Sequence, residues 1–283
     1  MISTTHDPLP DLLRSLRSSS SDVRCRAAKS LSRLGKLAAD AVAALAHAVN
    51  DPEADVREAA AQALGQIGLE AFPHLVAMCS HHDKYVRRHA VWALGKIGPA
   101  ATAVLPVLCR TLKDVDPRTA SGAAQTLGGL GEGAAQAVPM LIEAMRGTNI
   151  VLCRLAAKAL SEIGLPALPA LIEHLRHSDP FVRGEAALAV GWIGPPASEA
   201  TVHLIESLHL SRPPLLDKEP PIGGSAPAAI ATPDEAGRTN AAVALGRIGP
   251  AARMAATALK HSLRDPSEHV RIAAKLALRQ VGG

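Results

Sequence analysis

Residues 56–68 read VREAAAQALGQIG, and nearly the same phrase returns as VRRHAVWALGKIG at 86–98 and VRGEAALAVGWIG at 182–194. Recognisable copies run from Val23 to Gly35 and from Val270 to Gly282, and weaker ones end at Gly131, Gly164 and Gly249. Self-similarity at such a period marks an architecture in which one supersecondary unit is stacked many times. Counted from the valine, apolar residues fall four, seven, eight and eleven positions on, as in Val56, Ala60, Ala63, Leu64 and Ile67. That is one stripe of an α-helix. The segment before each phrase is helical as well, as in Val104, Leu105, Val107, Leu108 and Leu112. Each unit is therefore a pair of helices, and the chain is all-α.

The terminal glycines of the eight phrases are separated by 33, 30, 33, 33, 30, 55 and 33 residues. A proline in the first helix stands 13 residues before the valine position, as from Pro73 to Val86 and Pro169 to Val182, so the variation lies before that proline. A long unit is expected to start its first helix about one turn earlier. Asp51-Pro52, Asp116-Pro117, Asp179-Pro180 and Asp265-Pro266 read as an N-cap followed by proline in the first turn of the second helix. Gly98-Pro99, Gly194-Pro195 and Gly249-Pro250 mark its end, with glycine free to take a positive φ.

Hydrophobic residues make up 48% of the chain, yet its aromatics are only Phe72, Tyr85, Trp92, Phe181 and Trp192. Ala, Leu, Val and Ile must fill the core, which suits closely packed helices. A net charge of +4 is too small an excess to name a nucleic-acid backbone as partner. Cys25, Cys79, Cys109 and Cys153 lie far apart, without the spacing of a zinc site or a short-range disulfide framework, and fit a reducing cytosol. No export signal or membrane-spanning run is read, so a soluble, cytoplasmic, monomeric protein is expected.

A helix pair of 30 to 33 residues, proline in its first helix and Asp-Pro-x-Val-Arg opening its second resembles the HEAT-like repeat of the bilin-lyase type. The resemblance covers nearly the whole chain. It implies a right-handed α-α superhelix, a solenoid of about eight helix pairs over residues 1–283, whose second helices line a concave surface used mostly for protein recognition. It also implies that Arg57, Arg87, Arg183 and Arg271 bond an aspartate of a neighbouring repeat and so are structural. The fourth and fifth units depart from the pattern, with Thr119-Ala120 and Leu152-Cys153 in place of Val-Arg, and local looseness is expected there. The 55-residue spacing places an insertion at about 211–232 between the two helices of the seventh unit. Its prolines and adjacent Gly223 and Gly224 predict a loop.

If the valine stripe faces the core, positions two, six and ten residues after the valine face away from it. Position six holds Lys29, Gln62, Trp92, Gln125, Lys158, Leu188, Val243 and Leu276; position ten holds Arg33, Gln66, Lys96, Gly129, Glu162, Trp192, Arg247 and Gln280. Both tryptophans thus fall on the non-core face. Large amphipathic rings on an exposed face are the usual anchors of binding hot spots. The expected partner-binding set is Trp92, Trp192, Arg88, Lys96, Arg154, Lys158 and Arg247, and the expected partner is another protein offering an acidic or amphipathic segment. Glu58, Glu162 and Glu185 interrupt that face, which counts against nucleic acid.

Enzyme readings find little support. Deoxyhypusine hydroxylase, of similar architecture, holds iron with His-Glu dipeptides, and none occurs in this sequence. His81, His82, Asp83 and His89 cluster locally, but neighbouring rings need not converge on a metal. Phosphate loops and nucleophile motifs are missing. A non-catalytic scaffold without a cofactor is the expected function. The alternative is an accessory subunit for tetrapyrrole attachment or a related protein modification.

Overall fold

The computed structural model describes residues 8–97, 102–209 and 234–282. Among them all regular structure is helical, and sixteen α-helices fall into eight pairs. In chain order these are α1 (Leu9–Ser15) and α2 (Ser21–Leu34), α3 (Val42–Ala48) and α4 (Ala54–Ile67), α5 (Phe72–Met78) and α6 (Lys84–Ile97), and α7 (Leu105–Thr111) and α8 (Pro117–Gly129). They continue with α9 (Val138–Met145) and α10 (Ile150–Ile163), α11 (Leu168–His174) and α12 (Pro180–Ile193), α13 (Thr201–His209) and α14 (Glu235–Ile248), and α15 (Ala256–Ser262) and α16 (Glu268–Val281). Helices of this length are marginal in water by themselves, so their stability comes from stacking.

Contacts divide the described residues into two compact units, the first ending at Ala134 and the second beginning at Ala135. Within the first, the second helices α2, α4, α6 and α8 pack in succession; within the second, α10, α12, α14 and α16 do the same. The predicted stripe is the core: Val56, Ala60, Ala63, Leu64 and Ile67 are all buried, as are Val104, Leu105, Val107, Leu108 and Leu112. The glycine of the Ala-Leu-Gly step has its own role in this packing. A Cβ on Gly65 would lie 2.8 Å from that of Ala93, and one on Gly191 would lie 2.8 Å from Cα of Ala244. Only glycine lets consecutive second helices approach so closely.

The three-residue difference between long and short units falls in the connection. The first helices α3, α5 and α11 keep the same length of seven residues. The preceding 3₁₀ segment instead has seven residues at Gly35–Ala41 and three at Leu69–Ala71 and Leu165–Ala167. Ala38, at φ −96 and ψ 21, kinks the longer form, so the extra turn does not merge into the helix. The glycine stops are in place at Gly68, Gly164, Gly194 and Gly249, with φ from 70 to 88 and ψ from −125 to −144. Such dihedrals are in practice open only to glycine. Gly98 and the 211–232 insertion lie outside the described residues.

An arginine–aspartate ladder ties successive repeats. Arg24 pairs with Asp51 at 2.7 Å, Arg57 with Asp83 at 2.6 Å, Arg87 with Asp114 at 2.7 Å, Arg183 with Asp234 at 2.7 Å and Arg238 with Asp265 at 2.9 Å. The guanidinium groups of Arg24, Arg57, Arg87 and Arg183 also donate to carbonyls of their own interhelical turn, Arg87 to His81 and His82 for example. One side chain thus holds its own turn and the next repeat. Among the described residues Arg271, in the last pair, makes turn contacts to Asp265 and Pro266 and no ion pair.

The aspartates explain why two of the four expected caps are displaced. Asp116 and Asp179 do cap α8 and α12, with Pro117 and Pro180 at the first helical position. Asp51 and Asp265 sit two residues too early; Glu53 and Ser267 occupy the cap positions of α4 and α16. There the carboxylate accepts the backbone N–H two residues on and the neighbouring arginine instead. In the fifth pair Cys153 replaces the arginine, and its thiol donates to the Gly147 carbonyl at 3.2 Å.

Candidate partner-binding face

Because the core stripe and the glycine step fix the rotation of each second helix, the residues two, six and ten after the valine are left on one face. Trp92 and Trp192 are 42% and 43% exposed, against near-zero exposure along the core stripe. Lys29, Gln62, Gln125, Lys158, Arg33, Gln66, Lys96 and Arg247 are exposed as well. Leu188 and Val243 are half-buried.

In the first unit the site is built around α6. Tyr85, 43% exposed, lies seven residues before Trp92, so the two rings share one side of the helix two turns apart. Arg88 sits between them with its guanidinium 5.1 Å from the Tyr85 ring centre, and the Lys96 ammonium lies 5.6 Å from that of Trp92. Such contacts hold rings and cations together at little cost in solvation. Trp92 also borders three shallow hollows of about 380, 400 and 410 Å³. Glu58 and Gln62 of α4 and Arg118 of α8 close the largest of these, next to Tyr85. Neither Tyr85 nor Arg118 belongs to the set expected from sequence. Tyr85 immediately precedes the valine position, and only its seven-residue spacing from Trp92 signals a shared face.

The predicted cations differ in availability. Arg88 grips Asp116 with two bonds of 2.8 and 2.6 Å, and this holds the Asp116 carboxyl far below the ordinary carboxylate range, with the Thr119 hydroxyl and N–H adding to the effect. In the second unit Arg154 lies 3.6 Å from Glu185 and Lys158 lies 3.6 Å from Glu162. Burial pushes the Glu185 carboxyl up, Arg154 pulls it back in part, and its Oε2 accepts no hydrogen bond. Arg247 stands 5.9 Å from the Trp192 ring centre. Lys36, Lys96 and Arg118 make no ion pair among the described residues. Around Trp92 the basic character therefore comes from those three, with Arg88 already neutralised.

The histidine cluster is occupied by local bonds. His81 accepts the Asp83 N–H through Nδ1 and meets Asn50 through Nε2, while His89 lies 3.2 Å from Glu58. The Asp83 carboxylate is bound by Arg57. Among the described residues no group of three or more His, Cys, Asp or Glu is placed to share a metal ion. Burial raises the thiols of Cys109 and Cys153, and that of Cys79 to about 12, so these sulfurs are poor nucleophiles at neutral pH.

A family model described as HEAT repeats matches residues 8–81, 72–150 and 138–216. This chain belongs to the HEAT-repeat family. Three solved structures resemble it over nearly its whole length. An engineered protein is 22% identical with a TM-score of 0.49, covering 97% of this chain and 78% of that one. Human deoxyhypusine hydroxylase in complex with glycerol is 23% identical with a TM-score of 0.39, covering 97% and 96%. The complex of CpcE and CpcF of phycocyanin lyase from Nostoc sp. is 21% identical with a TM-score of 0.45, covering 99% and 97%. No curated protein matches the chain. No helix among the described residues of this HEAT-repeat protein is long and apolar enough to cross a membrane.

Proposed function

We propose that this HEAT-repeat protein is a non-catalytic interaction scaffold that holds another protein against the exposed face of its second helices. The observation that carries the reading is the placement of the aromatics. A chain with five aromatic residues leaves Tyr85, Trp92 and Trp192 over 40% exposed, while Ala, Leu and Val close the core without them. Exposed tryptophan and tyrosine beside cations are the side chains from which interface hot spots are made. Among the described residues His81 and His89 are held by local bonds and the raised Cys79, Cys109 and Cys153 thiols are poor nucleophiles, which supports a non-catalytic role.

The test is capture from the native lysate with wild-type protein and the Trp92→Ala, Trp192→Ala double variant side by side, followed by mass spectrometry and an absorbance scan. A protein retained by the wild type and lost by the variant is the expected result. A coloured or metal-bearing eluate with no such protein overturns the scaffold reading in favour of tetrapyrrole or metal chemistry.

A further inference from the structure

Resting on that reading, the geometry of the first unit specifies the kind of segment that fits. We propose that α6 receives an acidic amphipathic helix whose apolar anchors are seven residues apart, one over Tyr85 and one over Trp92.

Spacing decides helix against strand. Tyr85 and Trp92 lie seven residues apart on one continuous helix, so their positions are separated by about 10.5 Å along its axis. An extended segment presents same-side residues every ~6.7 Å, so its anchors fall at one or two such steps and miss that distance. A helix running along α6 returns to the same face after seven residues with the same rise, whichever way it runs. The shallow hollow of about 410 Å³ bordered by α4, α6 and α8 can receive anchor side chains of such a helix.

Charge decides the flanks. The hollow on the α8 side of Trp92 is bordered by Lys96 and Arg118, and the one on the α4 side by Lys36 and Lys96, with no carboxylate in either lining. Glu58, the acidic residue lining the hollow shared by Tyr85 and Trp92, faces His89. Arg88, locked on Asp116, holds the floor between the rings and presents no unsatisfied charge. The fitting helix therefore carries Glu or Asp beside its anchors, where Lys36, Lys96 and Arg118 can meet them.

The probe is a synthetic labelled helical peptide of about 18 residues with leucines seven apart and flanking glutamates, measured by anisotropy against the full-length protein. Its control has the same composition with the leucines five apart, on opposite sides of the helix. The expected result is binding at least tenfold tighter than the control, with a gain of peptide helicity. Tyr85→Ala and Trp92→Ala each weaken it about tenfold, and Lys96→Glu does so without altering the protein's helicity. Equal binding of both peptides, binding without gain of helix, or no binding by either overturns this inference. The lysate capture then stands or falls independently. Competition for Trp92 by oligothymidylate, with neither peptide bound, overturns the scaffold reading as well, because cations and stacked rings then serve single-stranded nucleic acid.

Discussion

The steps that carry the arginine ladder and the α10–α12 step, which lacks it, both stack through a buried apolar stripe. In the first unit each of α2, α4 and α6 sends an arginine to the aspartate of the next repeat. In the second unit α10 has Cys153 at that place and still packs on α12, with Ala156, Ala157, Ala159 and Leu160 buried. Apolar burial thus makes the stack, and the ion pair fastens a turn to its neighbour. The cap position of α10 is consistent with this division. The fifth pair carries neutral Asn149 in the aspartate position, and its side chain caps α10.

The largest effect is expected at the other extreme of the ladder. Arg238 is fully buried and its partner Asp265 nearly so. Removing one member of such a pair strands the other, so Arg238→Ala is expected to cost about 3–5 kcal/mol in chemical denaturation. A loss under about 1 kcal/mol shows that the buried rung is as dispensable as the missing one.

Acid should act next most strongly, and mainly on the rungs of the first unit. Asp51 is held below the ordinary carboxylate range chiefly by its bond to Arg24, and Asp83 by bonds from Tyr85 N–H and Arg57. A carboxyl with a lower pKa folded than unfolded contributes stability that is full above the unfolded value of about 3.9 and is lost as pH falls through the folded one. The melting temperature should fall between pH 5 and 2, and less steeply in the Arg24→Ala variant. Identical slopes remove the rungs from the account of acid unfolding.

The smallest effect sharpens the comparison from the side of the gap. Asp179 of the sixth pair caps α12 and makes no ion pair among the described residues. Cys153→Arg restores the missing donor in front of it and is expected to add no more than about 1 kcal/mol. Hydrogen exchange of the 174–180 turn should slow in parallel. Unchanged exchange with unchanged stability means that no rung forms there.

Much of this was legible in the residues. The valine stripe, the helix pairs and the glycine stops follow from local periodicity and backbone sterics, so counting positions from Val56 reaches them. The exposure of Trp92 and Trp192 follows from the same count. What lay beyond it depended on neighbours distant in sequence. The caps at Asp51 and Asp265 are displaced because these aspartates stand two residues further from the valine position than Asp116 and Asp179 do, and there each meets an arginine one repeat away; the seven-residue length of α3 reflects a 3₁₀ kink at Ala38, which carries no turn signature. Charge was hardest to read: Arg88, Arg154 and Lys158 sit on the expected face, yet each meets a carboxylate, and only side-chain placement separates them from Lys96. Arg238 belongs to a weak copy of the phrase, Gly237-Arg238, so its place in the ladder became visible only in the fold.

One paired measurement separates packing on one side of the second helices from recognition on the other. The protein captured from lysate is titrated against wild type and the Trp92→Ala, Trp192→Ala double variant, and both are unfolded in denaturant. The account predicts an affinity loss of about thirtyfold or more, as for hot-spot aromatics, with stability lowered by no more than about 2 kcal/mol for two half-exposed rings. Unchanged affinity per folded molecule, with a stability loss of 4 kcal/mol or more on the scale of core truncation, would contradict it and return both tryptophans to the packing.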